Sequence, residues 1–286
     1  MKSPFQNNHA LLDDIQAVLA KRGRNLWWLG QSGFLVAQNG RGLLFDPYLS
    51  DSLTRKYANT DKPHVRMTEL VLNPAALGSL GVIDVITSSH NHTDHLDAET
   101  LVPLLQANPQ ARLVIPAANR AFVLERIGAA FADQLFEVNA GECINAGDVE
   151  FQGIAAAHPT VDRDEMGRCR YLGYVMHWGD LTIYHSGDTL LHDGLVPALR
   201  QFSIDIALLP INGDRPERRV AGNLDGPQAA KLAHDIGAKW AIPCHFDLFE
   251  FNTASPADFV SECNRLKQPF QILRHGQGLR LDGLKT

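Results

Sequence analysis

An apolar, β-branched run, Val82-Ile83-Asp84-Val85-Ile86-Thr87, leads straight into Ser88-Ser89-His90-Asn91-His92-Thr93-Asp94-His95-Leu96-Asp97. This junction constrains the fold more than any other stretch. The apolar run reads as a buried strand. His90, His92, Asp94 and His95 then fall where a strand of an α/β sheet passes into a loop, the place where open α/β sheets put their chemistry. Two imidazoles at i and i+2 in an extended turn converge on one ion, and Asp94 and His95 follow at an offset that faces a second. Imidazole and carboxylate without thiolate suit zinc, manganese or iron. Solvated strand ends and helix caps are also polar, but three histidines and an acid at this spacing read as a metal site.

The rest of the chain bounds what such a site serves. With 286 residues, 45% hydrophobic and 20% charged, the chain has ample core for a soluble globular enzyme. A net charge of −6 gives no attraction to nucleic acid or to an anionic membrane, so a small-molecule substrate is expected, with a homo-oligomer left open. Cys143, Cys169, Cys244 and Cys263 are scattered, without metal-type or disulfide-dense spacing, which fits a reducing compartment. Residues 1–8 lack an apolar signal core and no run reaches transmembrane length, so the expected location is the cytoplasm.

Along the chain, Leu11, Leu12, Ile15, Val18 and Leu19 have helical spacing over residues 9–22, with Gly23 as the stop. Leu26–Leu29 and Phe34–Val36 read as strands around Gly30-Gln31-Ser32-Gly33, with Trp27 and Trp28 as core, and Leu43–Phe45 as a third strand ending at Asp46. Residues 51–81 read as a long surface loop with short helical pieces, a candidate substrate wall. Asp97 is placed to cap the next helix and Pro103 to interrupt it. Tyr171–Trp178 and Leu181–His185 form a hairpin across Gly179-Asp180, and Asp225 opens a helix. Ser255-Pro256-Ala257-Asp258 matches a capping box for a last helix, and strands at 270–274 and 279–281 close the chain.

The motif His90-x-His92-x-Asp94-His95 resembles the signature of the metallo-β-lactamase superfamily. Ala155-Ala156-Ala157-His158, Ser186-Gly187-Asp188-Thr189 and Ile242-Pro243-Cys244-His245 match its further ligand segments in order, and the likeness runs from about residue 26 to 275. Within the superfamily, Trp27-Trp28-Leu29-Gly30, Tyr184-His185-Ser186-Gly187-Asp188 and Ile242–Asp247 are most similar to the L-ascorbate-6-phosphate lactonase group, with a weaker likeness to N-acylphosphatidylethanolamine-hydrolysing phospholipase D. The resemblance implies a four-layer αββα sandwich over residues 26–286, preceded by a helical extension over 1–25. It implies two divalent ions, zinc or manganese with iron as a further option. His90, His92 and His158 would hold one, Asp94, His95 and His245 the other, and Asp188 would lie between them, where Gly187 lets the backbone approach.

The chemistry implied is hydrolysis of an ester of a small anionic substrate, such as a sugar-phosphate lactone, by a hydroxide shared between the ions. Asp94 and Asp188 are the catalytic carboxylates. Asp94 or a metal-bound water returns the proton, with His185 a weaker candidate. A phosphodiesterase of the same fold is one alternative, and a metal-binding protein without activity another. Asp46 and His185 are expected behind the ligands. The loops after His158 and Leu209 carry Arg163, Arg168, Arg170, Asn212, Arg215, Arg218 and Arg219; Arg163, Asn212, Arg215 and Arg218 are the expected substrate contacts. The competing reading pairs these arginines with acids of their own loops.

Overall fold

The apolar runs become the strands of two sheets in a computed structural model, which describes residues 1–282 and residue 284. The first sheet holds β1 (Asn25–Gly30), β2 (Gly33–Gln38), β3 (Arg41–Phe45), β4 (Ile83–Thr87), β5 (Arg112–Pro116) and β6 (Leu135–Val138) in chain order. The second holds β7 (Cys143–Ala146), β8 (Val149–Ala155), β9 (Leu172–Trp178), β10 (Leu181–His185), β11 (Ile206–Pro210) and β12 (Trp240–Cys244). The last strand, β13 (Gly278–Arg280), returns to pair antiparallel with β1. Strands β3 to β6 run parallel, as do β10 to β12, and this sends several strands toward one rim.

Both faces of the first sheet are buried, which is why its strands read as unbroken apolar runs. Leu26, Trp28, Phe34, Val36, Leu43, Phe45 and Val85 join the core shared with the second sheet. Their neighbours Trp27, Leu29, Leu35, Leu44 and Ile86 face the opposite way, against helices. Those helices are α1 (Asn8–Ala20), α3 (Pro74–Gly78), α4 (Ala98–Ala107) and α5 (Arg120–Ile127); α2 (Ser52–Tyr57) lies in the long 51–81 segment. On the far side, α6 (Leu195–Leu199), α7 (Gly226–Asp235) and α8 (Ala257–Leu266) contribute Leu195, Ala229, Ala233, Phe259 and Cys263 to the core. The layers are thus helix, sheet, sheet, helix. Leu11, Ile15 and Leu19 bury one stripe of α1 in the sheet–helix core. Trp27 and Trp28 are both core, their indole N–H groups bonded to Asp14 and to the Gln31 carbonyl.

Local expectations differ from the structure in five places. Pro103 lies inside α4 rather than ending it. Asp97 precedes that helix but makes no cap hydrogen bond, its carboxylate accepting instead from the Thr100 hydroxyl at 2.6 Å. Arg22, not Gly23, takes the left-handed conformation after α1, while Gly23 N–H closes on the Val18 carbonyl at 3.0 Å. The capping box forms at Asp225 and Gln228 on α7, whereas α8 follows Pro256 without a side-chain cap. Residues 270–274 pair only through an isolated bridge from Phe270 to Ala241, its two backbone hydrogen bonds running to Pro269 and from Gln271. All four cysteines are free, and among the described residues no helix is long and apolar enough to cross a membrane.

Candidate metal centre

Five strand ends meet at one rim of the sandwich. Asp46 follows β3, the 90–95 loop follows β4, His158 follows β8, Asp188 follows β10 and His245 follows β12. His90, His92, His158 and Asp188 bring one donor atom each within 4.8 Å of one another, and Asp94, His95 and His245 form a second such group. The Asp188 carboxylate touches both. Its Oδ1 is 3.3 Å from His95 Nε2, and its Oδ2 is 3.4 Å from His245 Nε2 and 3.7 Å from His158 Nε2. Asp94 Oδ2 lies 3.5 Å from His245 Nε2 and 3.8 Å from His95 Nε2.

These spacings fit metal coordination. Donors bound at about 2.0–2.2 Å to a tetrahedral ion stand about 3.3–3.6 Å apart. His90 Nε2, His95 Nε2 and Asp188 Oδ1 are also buried without a hydrogen-bond partner, a costly state that a cation would relieve. The opposite ring nitrogens are already engaged. His95 Nδ1 faces Asp46 Oδ2 at 2.7 Å, His158 Nδ1 faces the Gly222 carbonyl at 2.8 Å, and His90 Nδ1 faces Ser89 Oγ at 3.0 Å. Anchoring Nδ1 in this way orients each ring and leaves Nε2 for an ion.

A second layer holds the first in place. Asp46 is fully buried with φ 37°, and its carboxylate also accepts from Thr87 Oγ1 at 2.7 Å, Ser89 N–H at 3.1 Å and the Ser89 hydroxyl. Gln31, in the turn between β1 and β2, donates through Nε2 to Asp94 Oδ2 at 2.8 Å. Its carbonyl accepts the His245 N–H at 2.9 Å. Gln31, Asp46 and His245 all sit at positive φ, a costly backbone state for non-glycine residues that clusters at functional sites. His185 is buried against Phe45, with Nε2 donating to the Ser32 carbonyl at 2.8 Å, so it supports the site from below rather than opening on it. Gly187 does allow a close approach, but to Ser89: a Cβ there would meet Ser89 Cβ and Oγ at 2.6 Å.

Charge divides the two donor groups. Burial pushes the His90, His92 and His158 rings down, His92 to about 4. Burial opposes charge on His95 and His245 as well, but Asp188 and Asp94 override it, holding His95 well above the ordinary histidine range and His245 up at about 9. Conversely, burial raises Asp188 and Asp94, yet the facing His245 and His95 rings keep both carboxyls below the usual range.

A cavity of about 410 Å³ opens above the centre, with His92, Asp94, His158, Asp188 and His245 on its lining. Tyr57 and Leu53 of α2, Phe249 and Phe251 supply apolar wall, with Phe122 and Val220 also on the lining. The structure does not bring the four expected substrate residues to it. Arg163 donates to the Gly167 carbonyl and lines a separate cleft with His192. Arg215 is exposed outside the cavity lining. Arg218 is buried, donating to the Asn212, Thr253 and Asn252 oxygens, while Asn212 donates to Asn252 Oδ1 at 2.9 Å. Arg218 and Asn212 therefore hold the Asn252 wall from behind. Arg168 and Arg170 pair with Asp164 and Asp162, as the competing reading had it, and Arg219 pairs with Asp61. The cations that do line the cavity are Lys56 and Arg126.

A fold of two sheets between helices, with this ligand order at one rim, defines a class, and comparison with known proteins agrees. The model of the β-lactamase superfamily domain matches residues 25–245, so the chain belongs to the metallo-β-lactamase superfamily. Among its relatives, a UPF0173 metal-dependent hydrolase of Sulfolobus acidocaldarius is 29% identical over 268 residues, covering 90% of this chain and 99% of the relative. Of solved structures, a possible metal-dependent hydrolase from Veillonella parvula superposes with a TM-score of 0.68 at 16% identity, covering 91% of this chain and all of the other. An isothiocyanate hydrolase from Delia radicum gut bacteria gives 0.68 at 17% identity, covering 90% and 99%. At such identities the likeness is one of fold.

Proposed function

We propose that the chain is a dinuclear hydrolase that cleaves an ester bond of a small molecule, a lactone or a phosphoester. The coarser class, a metal-dependent hydrolase of the metallo-β-lactamase fold, follows from the family and its relatives. The bond cleaved and the two-ion count are our reading. One observation carries it: a single buried carboxylate, Asp188, stands within 3.7 Å of histidines from both donor groups, on the lining of a cavity sized for a small molecule.

His90, His92 and His158 would hold one ion, Asp94, His95 and His245 the other, with Asp188 between. Two divalent ions held there would lower the pKa of water and polarise the bond to be cleaved. The chain's own residues then fix geometry. Asp46 holds the His95 ring, the Gly222 carbonyl holds His158, and Gln31 steadies Asp94. Asp94 is the more exposed of the two central carboxylates, 14% against 5% for Asp188, and is the better placed to pass a proton to a leaving group. The all-imidazole-and-carboxylate donor set suits zinc or manganese, with iron also compatible.

Metal analysis of loaded protein, combined with turnover of chromogenic lactones and bis-4-nitrophenyl phosphate, tests this. Two divalent ions per chain are expected, with Asp188→Ala losing one of them and nearly all turnover. Saturation at one ion with Asp188→Ala unaffected overturns the dinuclear centre. Two ions with no turnover of any ester favours a binding protein on the same scaffold.

A further inference from the structure

The cavity lining carries two cations, Arg126 and Lys56, that form no ion pair among the described residues. Arg126, near the end of α5, is half-buried, and its Nη1 donates to the backbone carbonyls of Asn91 at 2.6 Å and Leu96 at 3.2 Å, both in the metal loop. Its guanidinium lies 4.4 Å over the Phe122 ring. Among the described residues Nε and Nη2 make no hydrogen bond, and neither Asp97 nor Glu125, whose charges reach it, comes within bonding range. Lys56 of α2 lies over the Tyr57 ring at 5.2 Å and forms no ion pair among the described residues. Arg24, Arg41, Arg55, Arg66, Arg120, Arg168 and Arg219, by contrast, each face a carboxylate.

A guanidinium held in place from one side, stacked on an aromatic ring and left with free donors is preorganised for a planar or tetrahedral oxyanion. Among the described residues, the only carboxylates lining the cavity are Asp94 and Asp188, and both belong to the candidate metal centre. With the ions bound the cavity is net positive, which concentrates anions. We propose that Arg126, assisted by Lys56, binds an anionic group on the substrate away from the bond that is cleaved. The substrate is then an ester or lactone carrying a second oxyanion, carboxylate or phosphate. This rests on the hydrolase reading of the same cavity, and it moves anion recognition from the loops after His158 and Leu209 to α2 and α5.

Calorimetry on the metal-loaded protein tests the site without turnover. Acetate reports an oxyanion at the metals alone; succinate, glutarate and adipate add a second carboxylate at increasing reach, and 3-phosphonopropionate adds a phosphonate. At least one two-headed probe should bind about 10–100-fold more tightly than acetate, the range expected of charge-assisted hydrogen bonds. The dicarboxylate and phosphonate arms separate the two anion types. Arg126→Met should abolish that advantage and leave acetate affinity and metal content unchanged; Lys56→Met should reduce it. Should Arg126→Met disturb the metal loop and lose metal, Arg126→Lys and Lys56→Met read the same difference. Wild-type protein that binds every two-headed probe no better than acetate overturns the proposal, as does an advantage that survives both Arg126 variants. A positive binding result with no ester turned over would leave the anion site standing and sink only the ester-hydrolase reading.

Discussion

Asp46 carries more of the site than its distance from any substrate suggests. It is buried with four polar contacts, and it faces His95 Nδ1 at 2.7 Å. Burial alone would raise its carboxyl, but the His185 and His95 rings hold it below the usual range. An anionic partner on Nδ1 fixes the His95 tautomer and raises the basicity of Nε2, the nitrogen that faces Asp188 and Asp94. Asp46→Asn keeps the size and removes the charge. In the proposed two-ion centre it should weaken binding at Asp94, His95 and His245 by about 10–100-fold, the usual effect of losing such a partner. Binding at His90, His92 and His158 should change little. Chelator competition with two resolved affinities checks this, and equal weakening of both would show that Asp46 only supports the fold. His90 to His95 were legible from sequence because four donors within one loop have few other uses. Asp46 was legible only as a turn residue or a partner behind the ligands. Arg126 was not legible at all: one cation at a helix end looks like an ordinary solvated, dipole-matching residue. The loop arginines misled for the same reason, since a charged loop does not reveal which way it faces.

At the scale of elements, the strands were readable wherever both faces are buried, because alternation then disappears into continuous apolar runs. The weaker assignments fell at positions where tertiary contact overrides a local signal. The Phe270 segment is apolar enough for a strand but pairs over only a bridge beside β12. Pro103 sits within α4, whose Leu101, Leu104 and Leu105 are all fully buried. Packing there outweighs the lost hydrogen bond. Helix α1 poses the sharper question, since the family match begins only at residue 25. Its Leu11 and Ile15 are 0% and 1% exposed and lie in one core cluster with Trp27, Leu35 and Leu44. Ile15→Ala should therefore cost about 2–5 kcal/mol, the range for a large-to-small change in a packed core. Urea unfolding of metal-loaded protein measures it. A loss below about 0.5 kcal/mol, typical of a surface change, would make α1 an appendage rather than part of the domain.

The whole molecule couples protons to metal unevenly. In the metal-free protein at pH 7, His95 and His245 are cationic against Asp94 and Asp188, so protons stand where one ion would be. His90, His92 and His158 are neutral, because burial has pushed them down. The first three can take an ion without releasing a proton; the other group must give up protons first. For His245 the folded value of about 9 lies above the ordinary value of 6.5, so its protonated pairing stabilises the metal-free fold below pH 6.5. That contribution is lost as pH rises toward 9. Metal bound in place of the proton carries no such loss, and its affinity should rise by roughly tenfold per pH unit for each proton displaced. The gap in Tm between loaded and metal-free protein should therefore widen from pH 6.5 to 9. Over the same span, one of two resolved ion affinities should climb while the other stays level. Proton release measured in weakly buffered solution at pH 7 should be near zero for the level site and one to two equivalents for the climbing one. Two affinities that rise together, or a Tm gap that stays constant across this window, would mean that the two donor groups do not differ in charge before metal arrives.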